Sequence, residues 1–144
     1  MRRTFLLVIA LLGGCAGDYP PTEAPPAPAP PHTERLGEAV GFAWKMRSQP
    51  ETITLEATCL DQMAYEDLKV RILFKDADGK ELIGGESLAG GSCDAGGQGF
   101  SQEQQAIWPE AGTLDITITL KTAAGNRQAR WGFVKRNGEI ARQP

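Results

Sequence analysis

The chain has 144 residues, with 15 Lys+Arg against 18 Asp+Glu and a single histidine, for a net charge of −3 at pH 7. A nucleic-acid partner calls for a basic footprint, and an anionic lipid surface calls for a cationic patch; interspersed charges with an acidic balance argue against both. One histidine and three cysteines also leave too few ligands for a zinc or copper centre, so no metal and no cofactor are expected.

The N-terminus opens with Arg2 and Arg3, then runs apolar from Phe5 to Leu12. That run is far shorter than the roughly 20 residues of a spanning helix. A positive start, a short apolar core and small residues behind it make a secretory leader. The residues Leu12-Gly13-Gly14-Cys15 resemble the lipobox of bacterial lipoproteins at all four of its positions. The resemblance implies a signal peptide over residues 1–14, diacylglyceryl transfer to the Cys15 thiol, cleavage before Cys15 and often acylation of the new amine. Two or more acyl chains anchor stably, at about 0.8 kcal/mol per buried methylene. Residue 16 is Ala rather than Asp, which by the enterobacterial sorting pattern implies the outer membrane; the domain is expected to face the periplasm, with exposure at the cell surface as the alternative. Cleavage removes two arginines and no acid, taking the net charge from −3 to −5.

Residues 15–34 form a linker. Seven of the ten prolines fall within residues 20–31, a composition that favours an extended polyproline shape over a packed core. Its reach is about 60 Å at roughly 3.1 Å per residue. His32, near its end, stands without a second histidine. With Cys15 lipidated, Cys59 and Cys93 are left as a pair, and the implied extracytoplasmic compartment favours their disulfide.

Residues 35–144 suffice for one domain. Apolar residues alternate with polar ones over 40–46, 53–59, 68–74, 114–120 and 129–133, the signature of half-buried strands. Short helical turns are expected over 61–67 and 101–105. Asp78-Gly79, Gly125-Asn126 and Asn137-Gly138 mark hairpin turns. Five strong strands and two or three weaker ones predict an all-β, two-sheet antiparallel sandwich. Ile107 to Ile116 resembles the turn into a late strand of an immunoglobulin-like sandwich, though Leu114 stands where a tyrosine corner would. Leu68 to Leu82 is similar to FxLYD-type envelope domains. The plan of an acylated cysteine followed by one sandwich is also similar to the small type VI secretion lipoprotein, whose domain is transthyretin-like.

Candidate sites are few. Asp76-Ala77-Asp78-Gly79 starts like a calcium loop, but Lys80 and Glu81 break the pattern, so a hairpin turn is expected. Gly84 to Gly99 holds seven glycines and no Lys or Arg, so it reads as a mobile loop, pinned at Cys93, that presents Leu88 to a partner. Ser92 lacks a nucleophile elbow, and no acid, base and nucleophile converge, so no enzyme activity is expected. Trp44 and Trp131 fall in phase with the core. Trp108, beside Pro109, is the candidate for an exposed stacking platform, with Tyr65 as its companion. The sequence thus predicts a non-catalytic, membrane-anchored lipoprotein whose sandwich binds an envelope protein. A secretion or secretin-assembly role, and a carbohydrate or peptidoglycan module built on Trp108 and Tyr65, are the alternatives.

Overall fold

The computed structural model describes residues 17, 21–25, 32–105 and 111–144. The lipobox-like residues 12–15, most of the proline-rich segment, and Trp108 with Pro109 lie outside the described residues. Those described form nine strands and no helix: β1 (His32–Ala39), β2 (Phe42–Ser48), β3 (Thr52–Cys59), β4 (Met63–Asp76), β5 (Glu81–Cys93), β6 (Gln98–Gln105), β7 (Gly112–Thr122), β8 (Gly125–Arg136) and β9 (Glu139–Arg142). They pair into two antiparallel sheets, β1-β2-β3-β6 and β5-β4-β7-β8-β9.

Alternation explains the layering. Phe42, Trp44 and Met46 on β2 and Ile53, Leu55, Ala57 and Cys59 on β3 point inward from the first sheet. They meet Leu68, Val70, Ile72 and Phe74 on β4, Leu114, Ile116 and Ile118 on β7, and Trp131 and Phe133 on β8. Trp44 and Trp131 face each other across the core at a ring-centroid distance of 5.9 Å. Each large apolar side chain buried this way contributes about 1.5–3 kcal/mol before conformational entropy is counted. Polar partners take the opposite faces, as in the Lys45–Glu56 pair at 2.9 Å.

The connectivity is immunoglobulin-like. Lettering β2, β3, β6 as A, B, E and β4, β7, β8 as C, F, G gives the strand order of that fold without its strand D and with β1, β5 and β9 added at the edges. The bridge departs from that scheme, in which B is joined to F. Here Cys59 at the end of β3 is bonded to Cys93 at the end of β5, with Cα atoms 6.2 Å apart. It staples the two sheets where the chain passes from one to the other. Backbone bonds hold the same corner: Cys59 N–H donates to the Gly97 carbonyl and Gly96 N–H to the Cys59 carbonyl.

Several expectations are corrected. The segments 61–67 and 101–105 are not helical; Met63 onward belongs to β4 and 101–105 to β6. Burial of Phe100 and the pairing with β3 decide the second case, since period two fits that edge and a helical turn would break it. The Gly84–Gly99 segment is not a mobile loop, because residues 84–93 lie in β5 and pair with β4. The sandwich starts at His32, inside the expected linker, because β1 finds a full partner in β2. Val40 is a hairpin residue at φ 51°, not a strand residue, and the Trp44 indole N–H closes that turn on the Ala39 carbonyl. The β7–β8 turn falls on Ala123-Ala124, two residues before Gly125-Asn126, as the Thr122–Gly125 pairing requires. Asp78-Gly79 and Asn137-Gly138 turn as expected. Asp76 Oδ1 accepts from the Asp78 and Lys80 amides, so this acid serves the turn.

Candidate functional site

The most exposed apolar chemistry among the described residues lies on β5. Large hydrophobics exposed there are Leu88 at 66% and Leu82 at 40%, with Leu60 at 36% elsewhere. β5 is an edge strand, paired with β4 on one side only. Its residues alternate cleanly. Leu82, Gly84, Glu86, Leu88 and Gly90 face outward, while Ile83, Gly85, Ser87 and Ala89 are half-buried toward the other sheet. The glycine positions follow from packing rather than from loop flexibility. A Cβ on Gly85 would stand 2.4 Å from Gln104 Oε1, and one on Gly84 would stand 3.1 Å from the Leu73 side chain.

Edge strands carry unpaired N–H and C=O groups, and most sheets blunt them with charge, proline, bulges or shortness. The other edges use these devices. β9 has four residues. β1 carries His32, Glu34, Arg35 and Glu38 and a bulge between Arg35 and Gly37. β5 runs for thirteen residues with no Lys, Arg or Pro; its charges are Glu81 and Glu86, and its pairing with β4 shifts register at Leu82 and again opposite Tyr65–Leu68. Both acids are engaged inward along the sheet, Glu86 with Lys69 at 3.3 Å and Glu81 with Arg71 at 3.9 Å. This leaves the two leucines as the dominant side chains along a free hydrogen-bonding rim.

A second polar feature lies beneath it. β6 stacks under β5 and turns Phe100, Gln102 and Gln104 inward. The Oε1 atoms of Gln102 and Gln104 are buried and have no hydrogen-bond donor among the described residues. A buried amide oxygen without a donor costs about 1–3 kcal/mol. Sequence reading passed over Leu82 and Gln104, because Gln102 and Gln104 sat in an expected helical turn and Leu82 in a hairpin. No period-two contrast in Ser101-Gln102-Glu103-Gln104-Gln105 marked the inward phase, which appears only in the burial pattern.

The expected site residues disperse. Leu88 is exposed as anticipated, but on a strand. Tyr65 is 8% exposed, its ring edge-on to Phe42 at 5.2 Å and its hydroxyl donating to the Gly99 carbonyl. Its faces are covered, so it offers no stacking platform. Trp108 lies outside the described residues. Cys59 and Cys93 form a structural bridge. His32 sits 3.3 Å from Glu34 on β1, and no group of three or more potential metal ligands occurs among the described residues.

The outer face of the first sheet carries a shallow groove of about 600 Å³, lined in part by Arg35, Glu38, Lys45 and Glu56. Within it Lys45 and Glu56 pair at 2.9 Å, and Glu56 also meets Arg47 at 3.2 Å. The hydrogen bond from Lys45 holds the Glu56 carboxyl below the usual carboxylate range, against a smaller opposing effect of burial and with Lys45 and Arg47 charge adding to it. No helix among the described residues is long and apolar enough to cross a membrane.

No family model matches this chain, and no curated protein does. One solved structure, an endonuclease/exonuclease/phosphatase from Beutenbergia cavernae, is similar at 19% identity and a TM-score of 0.40, over 75% of this chain and 27% of that one. The chain thus spans about a quarter of that protein's length, and a likeness of this extent transfers no activity.

Proposed function

We propose that this protein is a non-catalytic lipoprotein of the bacterial cell envelope, tethered through Cys15, whose sandwich docks a protein partner along the open edge of β5. The carrying observation is that edge: thirteen residues, unpaired on one side, with Leu88 and Leu82 outward and no gatekeeping cation or proline. Strand addition to such an edge draws affinity from main-chain hydrogen bonds and selectivity from alternate side chains. The Leu12-Gly13-Gly14-Cys15 motif supports the tether and the proline-rich segment supports a spacer that holds the domain clear of the lipid. The bridge between Cys59 and Cys93 suits an oxidising compartment and keeps β5 in place for docking.

Two measurements test this reading. Cys15→Ala should move the protein from the membrane to the soluble fraction; a chain that stays with the membrane contradicts the tether. A photo-crosslinking residue at position 88, activated in cells, should yield one discrete adduct, whereas the same probe at Glu38 on β1 should not. Equal labelling from both positions would show that β5 is not the docking edge.

A further inference from the structure

The β5 edge is self-complementary, and its geometry names an occupant. In an antiparallel pair, residues directly opposite share a face. A strand pairing with its own copy therefore places the two-fold axis on a residue, and only a few choices exist near the middle of β5. With the axis on Glu86, the two Glu86 carboxylates face each other, which like charges disfavour. With the axis on Ser87, each Leu88 meets the partner's Glu86. With the axis on Leu88, the leucines meet once and each Leu82 falls opposite the partner's Asp94. With the axis on Gly85, Leu82 lies opposite the partner's Leu88 and Leu88 opposite the partner's Leu82. Glu86 then lies opposite the partner's Gly84, so no like charges meet. This register alone covers both exposed leucines of β5 with apolar surface.

An independent feature selects the same axis. Gly85 is the residue over which the Gln104 amide lies, with Oε1 2.4 Å from the position of an added Cβ. That Oε1 is buried and without a donor among the described residues. An axis through Gly85 sets the two Gly85 Cα atoms about 5 Å apart, and so brings the two Gln104 amides side by side. Each carboxamide carries two N–H donors as well as the oxygen, so each can donate to the other's Oε1. The orphan acceptor of the single chain acquires its partner in the pair.

We infer that β5 docks a second copy of this chain, antiparallel about Gly85, joining two five-stranded sheets into one of ten strands. The inference rests on the reading of β5 as the docking edge and names the partner it meets. Membrane tethering assists it, since co-anchored chains meet at a raised effective concentration.

The test uses the full chain, purified in mild detergent under oxidising conditions. Leu82→Cys and Leu88→Cys are prepared separately and then mixed. Residue 82 faces residue 88 of the second copy, so the mixture should give a disulfide-linked dimer on a non-reducing gel and neither variant alone should. A dimer from Leu88→Cys alone would place the axis at Leu88 and overturn the register. No covalent dimer in any sample overturns self-pairing. Leu88→Lys in the wild-type background should weaken self-association at least tenfold with an unchanged melting temperature. Gln104→Leu should weaken it less, and no effect at that position would remove the amide pair from the argument for this axis. If covalent dimers fail while the position-88 probe still yields one heterologous adduct in cells, self-pairing falls and the docking edge stands. If both fail, both readings fall.

Discussion

β7 and β5 flank the same strand, β4, one on each side, and both pair with it antiparallel along most of their length. β7 reads Gly-Thr-Leu-Asp-Ile-Thr-Ile-Thr-Leu, every second residue buried. β5 fully buries none of its thirteen residues. β7 is placed by its own side chains, because slipping its register by one would turn Leu114, Ile116 and Ile118 to solvent. β5 is placed by its surroundings: a hairpin at one end, a disulfide at the other, and glycines that leave room for Gln104 and Leu73. A strand held by its neighbours keeps its own outward face free for another task.

Substitutions can break or sharpen that contrast. The largest effect should come from β7: Ile116→Ala should cost about 4 kcal/mol in urea unfolding, as expected for a fully buried branched side chain. Ile83→Ala on β5 should cost about 1 kcal/mol, because Ile83 is only partly buried against the core. Equal costs would mean that β5 is positioned by its own core contacts after all.

Next comes the bridge. Replacing Cys59 and Cys93 together with alanine should lower stability by about 3–4 kcal/mol, on the chain-entropy estimate for a separation of 34 residues. Amide exchange in the same variant should rise more in β5 than in β7. Uniform acceleration would show that the bridge acts on the whole domain and not on its edge.

Glycines at the bridged corner and on the edge should then separate. A Cβ at Gly99 would stand 2.6 Å from Phe42 Cε1 and 2.9 Å from Cys59 Sγ, both fixed in the core. Gly99→Ala should therefore cost about 2 kcal/mol. At Gly85 the obstacle is the movable end of Gln104, and Gly85→Ala should cost less than about 1 kcal/mol. The reverse order would place the rigid contact at the edge.

The smallest effect lies on the first sheet and supplies a baseline. Glu56 has a carboxyl pKa lowered from 4.5 on folding, mainly by the Lys45 hydrogen bond. An acid depressed in the folded state adds stability above its unfolded pKa and loses it as pH falls through the folded value. Glu56→Gln should therefore be about 0.5 kcal/mol less stable than the parent at pH 7. Thermal melts of the two should converge as the pH falls below 4.5. A difference that persists in acid would assign the effect to packing.

Legibility followed burial. The strands that line the core were visible because alternation of Ile, Leu, Val and Phe in β3, β4 and β7 encodes which face turns inward. β1, β5 and β6 were hidden for a common reason. Glycine, serine, glutamine and scattered charges carry no period-two contrast, so edge strands look like linker, loop or helical turn. The hairpins at Asp78-Gly79 and Asn137-Gly138 were visible through their positive-φ residues. The Val40-Gly41 turn was missed because valine seldom adopts φ near 51°. Leu88 was singled out on composition, but its setting on a strand edge, and the role of Leu82 beside it, needed the pairing with β4.

By itself the sequence determined the all-β class, the central strands and the in-phase position of Cys59, because local alternation and residue chemistry suffice for those. It also carries Leu12-Gly13-Gly14-Cys15, four adjacent residues that resemble a lipobox. Only the tertiary structure decided that a glycine-rich stretch is a strand, that Tyr65 is buried, and that Leu82 and Leu88 face outward from an edge strand with Gln104 beneath its inner face. Those facts depend on which strands lie side by side and which sheet lies beneath, relations between residues far apart in the chain.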